Sequence, residues 1–156
     1  MCGIAALLIS SQNLLKFNQA DIQSAVSNRG PNSTNTVTTE DNCWFVGSVL
    51  HIQGNQIVDQ PYTDTDGNIL LWNGEVFSGL AGFKVGVSDT IQVSSTLNKE
   101  IESAISGINI KGSPHDKKRM SILATQAVAE CLSHINGPYA FIYYYKLLDL
   151  IIYGRD

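Results

Sequence analysis

Strand-type runs of apolar, aromatic and β-branched residues occur in blocks along this sequence, and helical patterns lie between the blocks. The final block, YAFIYYYKLLDLIIYGRD, reads as two strands joined by a short turn near residues 146–149. Blocks of strands separated by helices predict an α+β fold, with mainly antiparallel sheet and with helices packed on the outside.

Each expected element has its own local signal. The run GIAALLI, residues 3–9, predicts a strand that is buried on both faces. A short helix is expected over residues 18–28, because Ile22, Ala25 and Val26 have helical spacing. The Thr-rich NTVTTE predicts an edge strand, and CWFVGSVLHI predicts a more deeply buried one.

The second half of the sequence contains clearer signals for turns and helix caps. DTDGN, residues 64–68, is typical of a hairpin turn that leads into a strand interrupted at Asn73-Gly74. One helix is expected from a capping serine at 88 to about residue 105. Another runs from SPHD, which supplies a cap serine, a proline and an acid, to about residue 135. Its expected inward residues are Ile122, Leu123, Ala127, Val128 and Leu132.

Composition excludes several classes of protein. The net charge of −4 and the lack of a basic stripe argue against a nucleic-acid partner. No apolar stretch is long enough to span a membrane. The three scattered cysteines (Cys2, Cys43 and Cys131) form neither a disulfide framework nor a zinc site, which predicts a reducing, cytoplasmic location and no metal. The 156 residues are one domain's worth of chain, and the abrupt stop after YGRD indicates an N-terminal fragment of a longer protein.

Cys2 has two open interpretations. It is either a small buried residue of the first strand or a catalyst formed by removal of Met1. In the second case Cys2 carries both a thiol and a free α-amine, whose pKa is about 7.7–8.0. That amine can take the thiol proton near neutral pH and return it to leaving ammonia, so no histidine is needed.

WNGEVF also has two open interpretations. Asn73 offers a side-chain amide and Gly74 a backbone N–H, which together are suited to stabilising an oxyanion. The same Asn-Gly pair between two apolar runs is equally typical of a type I′ hairpin turn.

Five motifs in order carry a resemblance to a known family. They are MCGI, NRGPN (residues 28–32), LLWNGEVFSG (70–79), SDT (88–90) and the final GPYAFIYYY…YGRD. Together they resemble the class II glutamine amidotransferases, which are N-terminal-nucleophile (Ntn) hydrolases. The nearest type is the glutaminase domain of asparagine synthetase, and in particular the subgroup of asparagine synthetase domain-containing proteins.

The resemblance implies a fold and a reaction. The fold is a four-layer αββα sandwich over residues 1–156, and the reaction is glutamine hydrolysis through a thioester on Cys2. Asn73 and Gly74 match the oxyanion hole, and Glu75 and Asp89 match residues that hold the substrate's α-amino end. Arg29 matches an arginine that shapes the site. A C-terminal asparagine-synthetase-like domain would be the partner, and ATP and Mg would be needed only there, with no cofactor in the domain itself.

One departure from the family pattern concerns substrate binding. The related glutaminases bind the substrate carboxylate with an arginine in a segment of the form RLxIxD. The matching stretch is VLHIQG, residues 49–54, and we assign the arginine position to Leu50. His51 is a possible replacement only after a one-residue shift or a bulge, because neighbouring strand residues face opposite sides. The absence of the arginine leaves two hypotheses, which are an active glutaminase and an inactive module kept for packing.

Overall fold

The computed structural model describes residues 2–8, 18–40, 43–51, 56–109 and 112–156. Within these ranges the chain forms seven strands and three α-helices. They are β1 (Gly3–Leu8), α1 (Gln19–Ser27), β2 (Ser33–Thr38), β3 (Cys43–Val49), β4 (Tyr62–Thr63), β5 (Ile69–Gly74), α2 (Asp89–Ile105), α3 (Pro114–Ser133), β6 (Tyr139–Tyr145) and β7 (Leu150–Arg155). A single 3₁₀ turn, Lys146–Leu148, joins β6 to β7. Ile9, the last residue of the run that predicts the first strand, lies outside the described residues.

The strands form two antiparallel sheets, which confirms the predicted α+β class. One sheet has the order β1-β3-β2, and the other has the order β4-β5-β6-β7. β3 is central and all seven of its residues are buried, whereas β2 is an edge strand as expected. The expectation for β1 was wrong. It also lies at an edge, most of its residues are half-buried or exposed, and Leu8 is 63% exposed.

Side-chain alternation along the strands separates three apolar clusters. On β5, Leu71 joins a cluster with Phe45 of β3 and Tyr144 of β6, so this cluster lies between the sheets. The Phe45 and Tyr144 rings lie 5.9 Å apart across that space. The alternate β5 residues, Leu70 and Trp72, face α2 and α3 in the largest cluster. The opposite face of β3 packs against α1 in the third cluster, which contains Val26, Trp44 and Val46.

The helices begin and end close to the predicted residues. Ser113 and Asp116 form a complete capping box at the start of α3, as expected from SPHD. Ser88 is the residue before α2, but its side chain makes no capping hydrogen bond. None of the helices in the described ranges is long and apolar enough to span a membrane.

The predicted inward faces of α1 and α3 need correction. Val26 is buried in α1 but Ala25 is exposed. In α3, Ile122 is 50% exposed, and Leu123 and Ala127 are only half-buried. The buried stripe is Met120, Ala124, Val128 and Leu132, with a spacing of four residues throughout. In each helix the contact with the sheet covers only a narrow stripe. Apolar residues beside that stripe therefore stay partly or fully exposed.

The predicted turn at residues 64–68 is present and is held by Asp64. This carboxylate accepts hydrogen bonds from the backbone N–H groups of Asp66 and Asn68, both at 2.9 Å, and from the side-chain amides of Asn68 and Asn98. Burial raises the pKa of Asp64, but the hydrogen bonds outweigh burial, so that its pKa lies below the ordinary value of 3.8. Asn98, in turn, accepts a hydrogen bond from the Tyr143 hydroxyl.

We expect Asp64→Ala to lower the free energy of unfolding by about 3 kcal/mol at pH 7, because a charged acceptor is lost and Asn68 and Asn98 lose a partner. The depressed pKa means that this contribution is present above pH 3.8 and is lost as the pH falls through the folded-state pKa. The difference in the free energy of unfolding between the variant and the wild type should therefore narrow in strong acid. Urea unfolding at several pH values measures it. Asp66→Ala, at an exposed neighbour in the same turn, should change stability by less than about 0.5 kcal/mol. Equal effects of the two variants would contradict this account of the turn.

Candidate active site

A cleft of about 180 Å³ lies where β1 begins and where β3 and β5 end. All five residues predicted as catalytic or substrate-binding line it: Cys2, Asn73, Gly74, Glu75 and Asp89. Cys2 directly precedes β1 of the first sheet, Asn73 and Gly74 end β5 of the second sheet and Glu75 follows them, and Asp89 begins α2. The structure therefore brings together residues that are up to 87 positions apart in the sequence.

The peptide group that joins Cys2 to Gly3 is held in place at both its carbonyl and its N–H. The Gly3 N–H donates to the Ser48 hydroxyl at 3.1 Å, and that hydroxyl donates to the Val26 carbonyl at 2.6 Å. Ser48 is fully buried, and a Cβ at Gly3 would lie only 2.5 Å from the Val26 oxygen. Arg29 does not line the cleft; its Nε donates to the Cys2 carbonyl at 3.3 Å. These contacts hold Cys2 by its main chain, and the half-buried residue reaches the cleft.

Strand alternation directs Cys2 and Asn73 toward the same space. Ile4 of β1 and Leu71 of β5 both belong to the cluster between the sheets. Cys2 and Asn73 lie two residues from them and therefore have the same parity. From opposite sheets, the thiol and the side-chain amide thus face the same end of the space between the sheets.

The hairpin interpretation of Asn73-Gly74 is wrong, and so is the predicted interruption of the strand. β5 runs through both residues, which pair with Ala140 and Tyr139 of β6. A type I′ turn needs positive φ at both central residues, and neither Asn73 nor Gly74 is among the described residues with positive φ. The pairing partner is more than 60 residues away, so local sequence did not reveal it.

The backbone N–H of Gly74 points toward the cleft side of β5. The Glu75 N–H donates to the Pro138 carbonyl at 3.0 Å, which is the β6 side, whereas the Trp72 N–H points to the opposite side. Because successive N–H groups of a strand alternate, the Gly74 N–H points to the same side as that of Trp72. A Cβ at Gly74 would lie 2.6–2.8 Å from Tyr139 and Pro138 atoms. Close strand pairing, rather than access for a substrate, therefore requires glycine here.

Gln60 supports this edge of β5 and was missed by the sequence analysis. Its side-chain amide bonds both backbone groups of Trp72, with Oε1 accepting from the N–H and Nε2 donating to the carbonyl, each at 2.7 Å. It also reaches the Thr90 hydroxyl at 3.4 Å. Gln60 is 3% exposed and acts as a substitute for a strand partner where β4 has not yet begun. Glutamine before a proline is an ordinary loop sequence, so the sequence carries no signal for this role.

We expect Gln60→Ala to lower the free energy of unfolding by about 2–4 kcal/mol, because it leaves the buried N–H and carbonyl of Trp72 without partners. Denaturant unfolding measures the change. Gln56→Ala is the matched control, since Gln56 lines the same cleft but is exposed, and its loss should cost less than about 0.5 kcal/mol. If both variants are equally stable, Gln60 does not anchor β5.

Glu75 and Asp89 make one wall of the cleft acidic. Asp89 Oδ2 accepts a hydrogen bond from the Val76 N–H at 2.7 Å, which ties the chain after β5 to the start of α2. Burial raises the pKa of Asp89; the Val76 hydrogen bond opposes this, and the charge of Glu75 adds to it, leaving the pKa above its ordinary value. Asp89 thus has a structural contact in addition to its place in the cleft.

The raised pKa of Asp89 has a consequence for stability. The contribution of Asp89 to the free energy of unfolding is fully present below pH 3.8 and is lost as the pH rises through its folded-state pKa. Asp89→Asn keeps an oxygen that can accept from Val76 but removes the charge, so this variant should show a flatter pH profile of stability. The difference should be below about 1 kcal/mol, because the half-exposed carboxylate is screened by solvent. Urea midpoints from pH 3 to 7 measure it. A steeper fall for Asp89→Asn than for wild type would contradict the assigned direction.

The position assigned to the family's arginine must be corrected by one residue. Laid letter by letter on VLHIQG, the arginine of RLxIxD falls on Val49, not on Leu50. The odd-numbered β3 residues Cys43 and Phe45 face the second sheet, and Val49 continues that series at the end of the strand. Val49, Leu50 and His51 all line the cleft, so an apolar residue occupies the place of the arginine. Within the described residues, no three His, Cys, Asp or Glu side chains come together as a metal site would require.

Comparison with known proteins shows relatives along the whole chain. It is 29% identical over 160 residues to asparagine synthetase domain-containing protein 1 of Homo sapiens and 31% identical over 160 residues to that of Bos taurus, covering 21% of each. The asparagine synthetase domain-containing protein CG17486 of Drosophila melanogaster is 25% identical over 161 residues, of which the chain covers 24%. The chain thus spans about a fifth of the length of these curated relatives, and it is similar to an asparagine synthetase-related protein. No protein-family model matches it.

Proposed function

We propose that this chain is a glutamine-hydrolysing domain that releases ammonia from glutamine through a thioester on Cys2. The observation that carries the proposal is the meeting of Cys2, Asn73, Gly74, Glu75 and Asp89 in one cleft. They come from three separate places in the sequence (position 2, positions 73–75 and position 89), and the proposed reaction needs all of them together. The similarity to asparagine synthetase domain-containing proteins supports a place in asparagine synthetase-related chemistry.

The proposed reaction begins after removal of Met1. The α-amine of Cys2 takes the thiol proton, and the sulfur attacks the carboxamide carbon of glutamine. The Asn73 side-chain amide and the Gly74 N–H stabilise the negative charge on the oxygen. The tetrahedral intermediate collapses when the α-ammonium protonates the leaving ammonia, which leaves a γ-glutamyl thioester. The amine then takes a proton from water, the hydroxide attacks the thioester, and glutamate and the free thiol are released.

The architecture supports a four-layer αββα arrangement. The three apolar clusters follow one another from α1 to the first sheet, from the first sheet to the second, and from the second sheet to α2 and α3. We further propose that a C-terminal asparagine-synthetase-like domain, with its own ATP and Mg, takes up the ammonia. The relatives are about five times as long as this chain, which leaves room for such a domain.

A catalytically inactive module is the second candidate. It is favoured by one observation, the apolar Val49 and Leu50 at the place of the family's carboxylate-binding arginine. In that case the fold would serve packing against another domain.

The test is release of glutamate from L-glutamine by the purified protein, with loss of Met1 verified by intact mass. We expect activity in the wild type, and a loss to background in Cys2→Ala. A diazo-ketone analogue of glutamine should label Cys2, because Cys43 is buried and burial raises the pKa of Cys131 to about 11.

Cys131→Ala is the matched control, since Cys131 lies on α3 outside the cleft and should be dispensable for hydrolysis. If mature wild type and Cys2→Ala release glutamate equally slowly and neither is labelled, the catalytic proposal is wrong and the inactive module stands.

A further inference from the structure

The charges that line the cleft are asymmetric. Glu75 and Asp89 contribute two carboxylates from the second sheet and α2, and His51 follows the last strand residue of β3 in the first sheet. Among the described lining residues, His51 has the only side chain that can carry a positive charge. The α-amine of a mature Cys2 is the other cationic group, but the proposed reaction uses it as the base.

His51 lines the cleft together with Val49 and Leu50. It lies two residues beyond the end of β3, so strand alternation does not decide which side of the sheet it faces. The main chain there is fixed, because the His51 N–H donates to Asn32 Oδ1 at 3.0 Å and the Asn32 N–H donates to the Val49 carbonyl at 3.1 Å. The half-buried imidazole makes no hydrogen bond within the described residues, so its ring N–H groups are available to a ligand.

An acidic wall alone suits an amine, but it repels a neighbouring carboxylate. The zwitterion of a free α-amino acid presents both charges on one carbon, so it needs an opposing cation as well. Resting on the proposed function, the structure assigns His51 as the group that binds the α-carboxylate of free glutamine, while Glu75 and Asp89 face its α-ammonium. The substrate class is then a free α-amino acid. Glutamine residues within peptides, which lack this carboxylate, are excluded.

The experiment compares two substrates, L-glutamine and L-glutaminamide, the second of which lacks the carboxylate charge. His51→Gln should raise KM for L-glutamine by roughly 10- to 100-fold, the loss of one charged hydrogen bond, with kcat changed by less than about 2-fold. KM for L-glutaminamide should stay within about 2-fold of wild type. His51→Arg, which keeps a cation, should restore most of the affinity for L-glutamine.

His115→Gln is the matched control, since it makes the same chemical change at the exposed start of α3. It should leave both KM values unchanged. Equal KM for L-glutamine in wild type and His51→Gln would overturn the assignment. A similar rise for both substrates would also overturn it, because the loss would then not depend on the carboxylate.

A binding measurement separates this inference from the proposed reaction. Calorimetric titration of Cys2→Ala with L-glutamine, with and without His51→Gln, needs no turnover. Weaker binding in the double variant, together with no hydrolysis by wild type, would support His51 and contradict the glutaminase. Hydrolysis by the wild type, together with equal binding of L-glutamine by Cys2→Ala and by the double variant, would support the glutaminase and contradict the assignment of His51. No binding of L-glutamine to Cys2→Ala would overturn the assignment of His51.

Discussion

The face-to-face packing of β3 against β5 and β6 is the constraint on which the rest of the molecule depends. Phe45, Leu71 and Tyr144 meet between the sheets, and their positions fix which residues of each strand face inward. Because side chains alternate with a period of two, a slip of one residue would turn the whole set to the other face. The same parity that buries Leu71 directs Asn73 toward the first sheet, and the parity that buries Ile4 directs Cys2 toward the second. Core packing and the assembly of the cleft are therefore one property of the register.

Elements with strong local chemistry could be predicted from the sequence. The capping box at Ser113 and Asp116 and the Asp64 turn depend on contacts within a few residues, so that a short stretch specifies them. The exposure of β1 and the buried face of α3 could not be predicted in this way. Both depend on what a distant segment covers. Among the described strands, β1 has a neighbour on only one side, and α3 has more apolar residues than its contact surface buries, which leaves Ile122 exposed.

The residues of the candidate site also differ in how far the sequence predicts them. Family resemblance identified Cys2, Asn73, Gly74, Glu75 and Asp89, whereas local chemistry alone left Asn-Gly equally suited to a turn. Pairing with Ala140 and Tyr139 excludes the turn, and no local pattern contains that information. The sequence analysis missed Gln60 because its side chain takes the place of a strand partner, and such a contact produces no periodic pattern in the sequence. The one-residue correction at Leu50 came from matching the motif to the sequence letter by letter.

The way in which Cys2 is held suits the terminal nucleophile that we propose. A residue that uses both its thiol and its α-amine leaves only its carbonyl and the next residue for anchoring. The contacts fall there: Arg29 donates to the Cys2 carbonyl, and Ser48 holds the Gly3 N–H from within the buried centre of the first sheet. The second sheet meanwhile carries the amide and backbone donors at its open edge, stiffened by Gln60. Because Cys2 precedes a strand of the first sheet and Asn73 and Gly74 end a strand of the second, the apolar layer between the sheets sets their alignment. In the proposed reaction the hydrophobic core would therefore position the reacting groups.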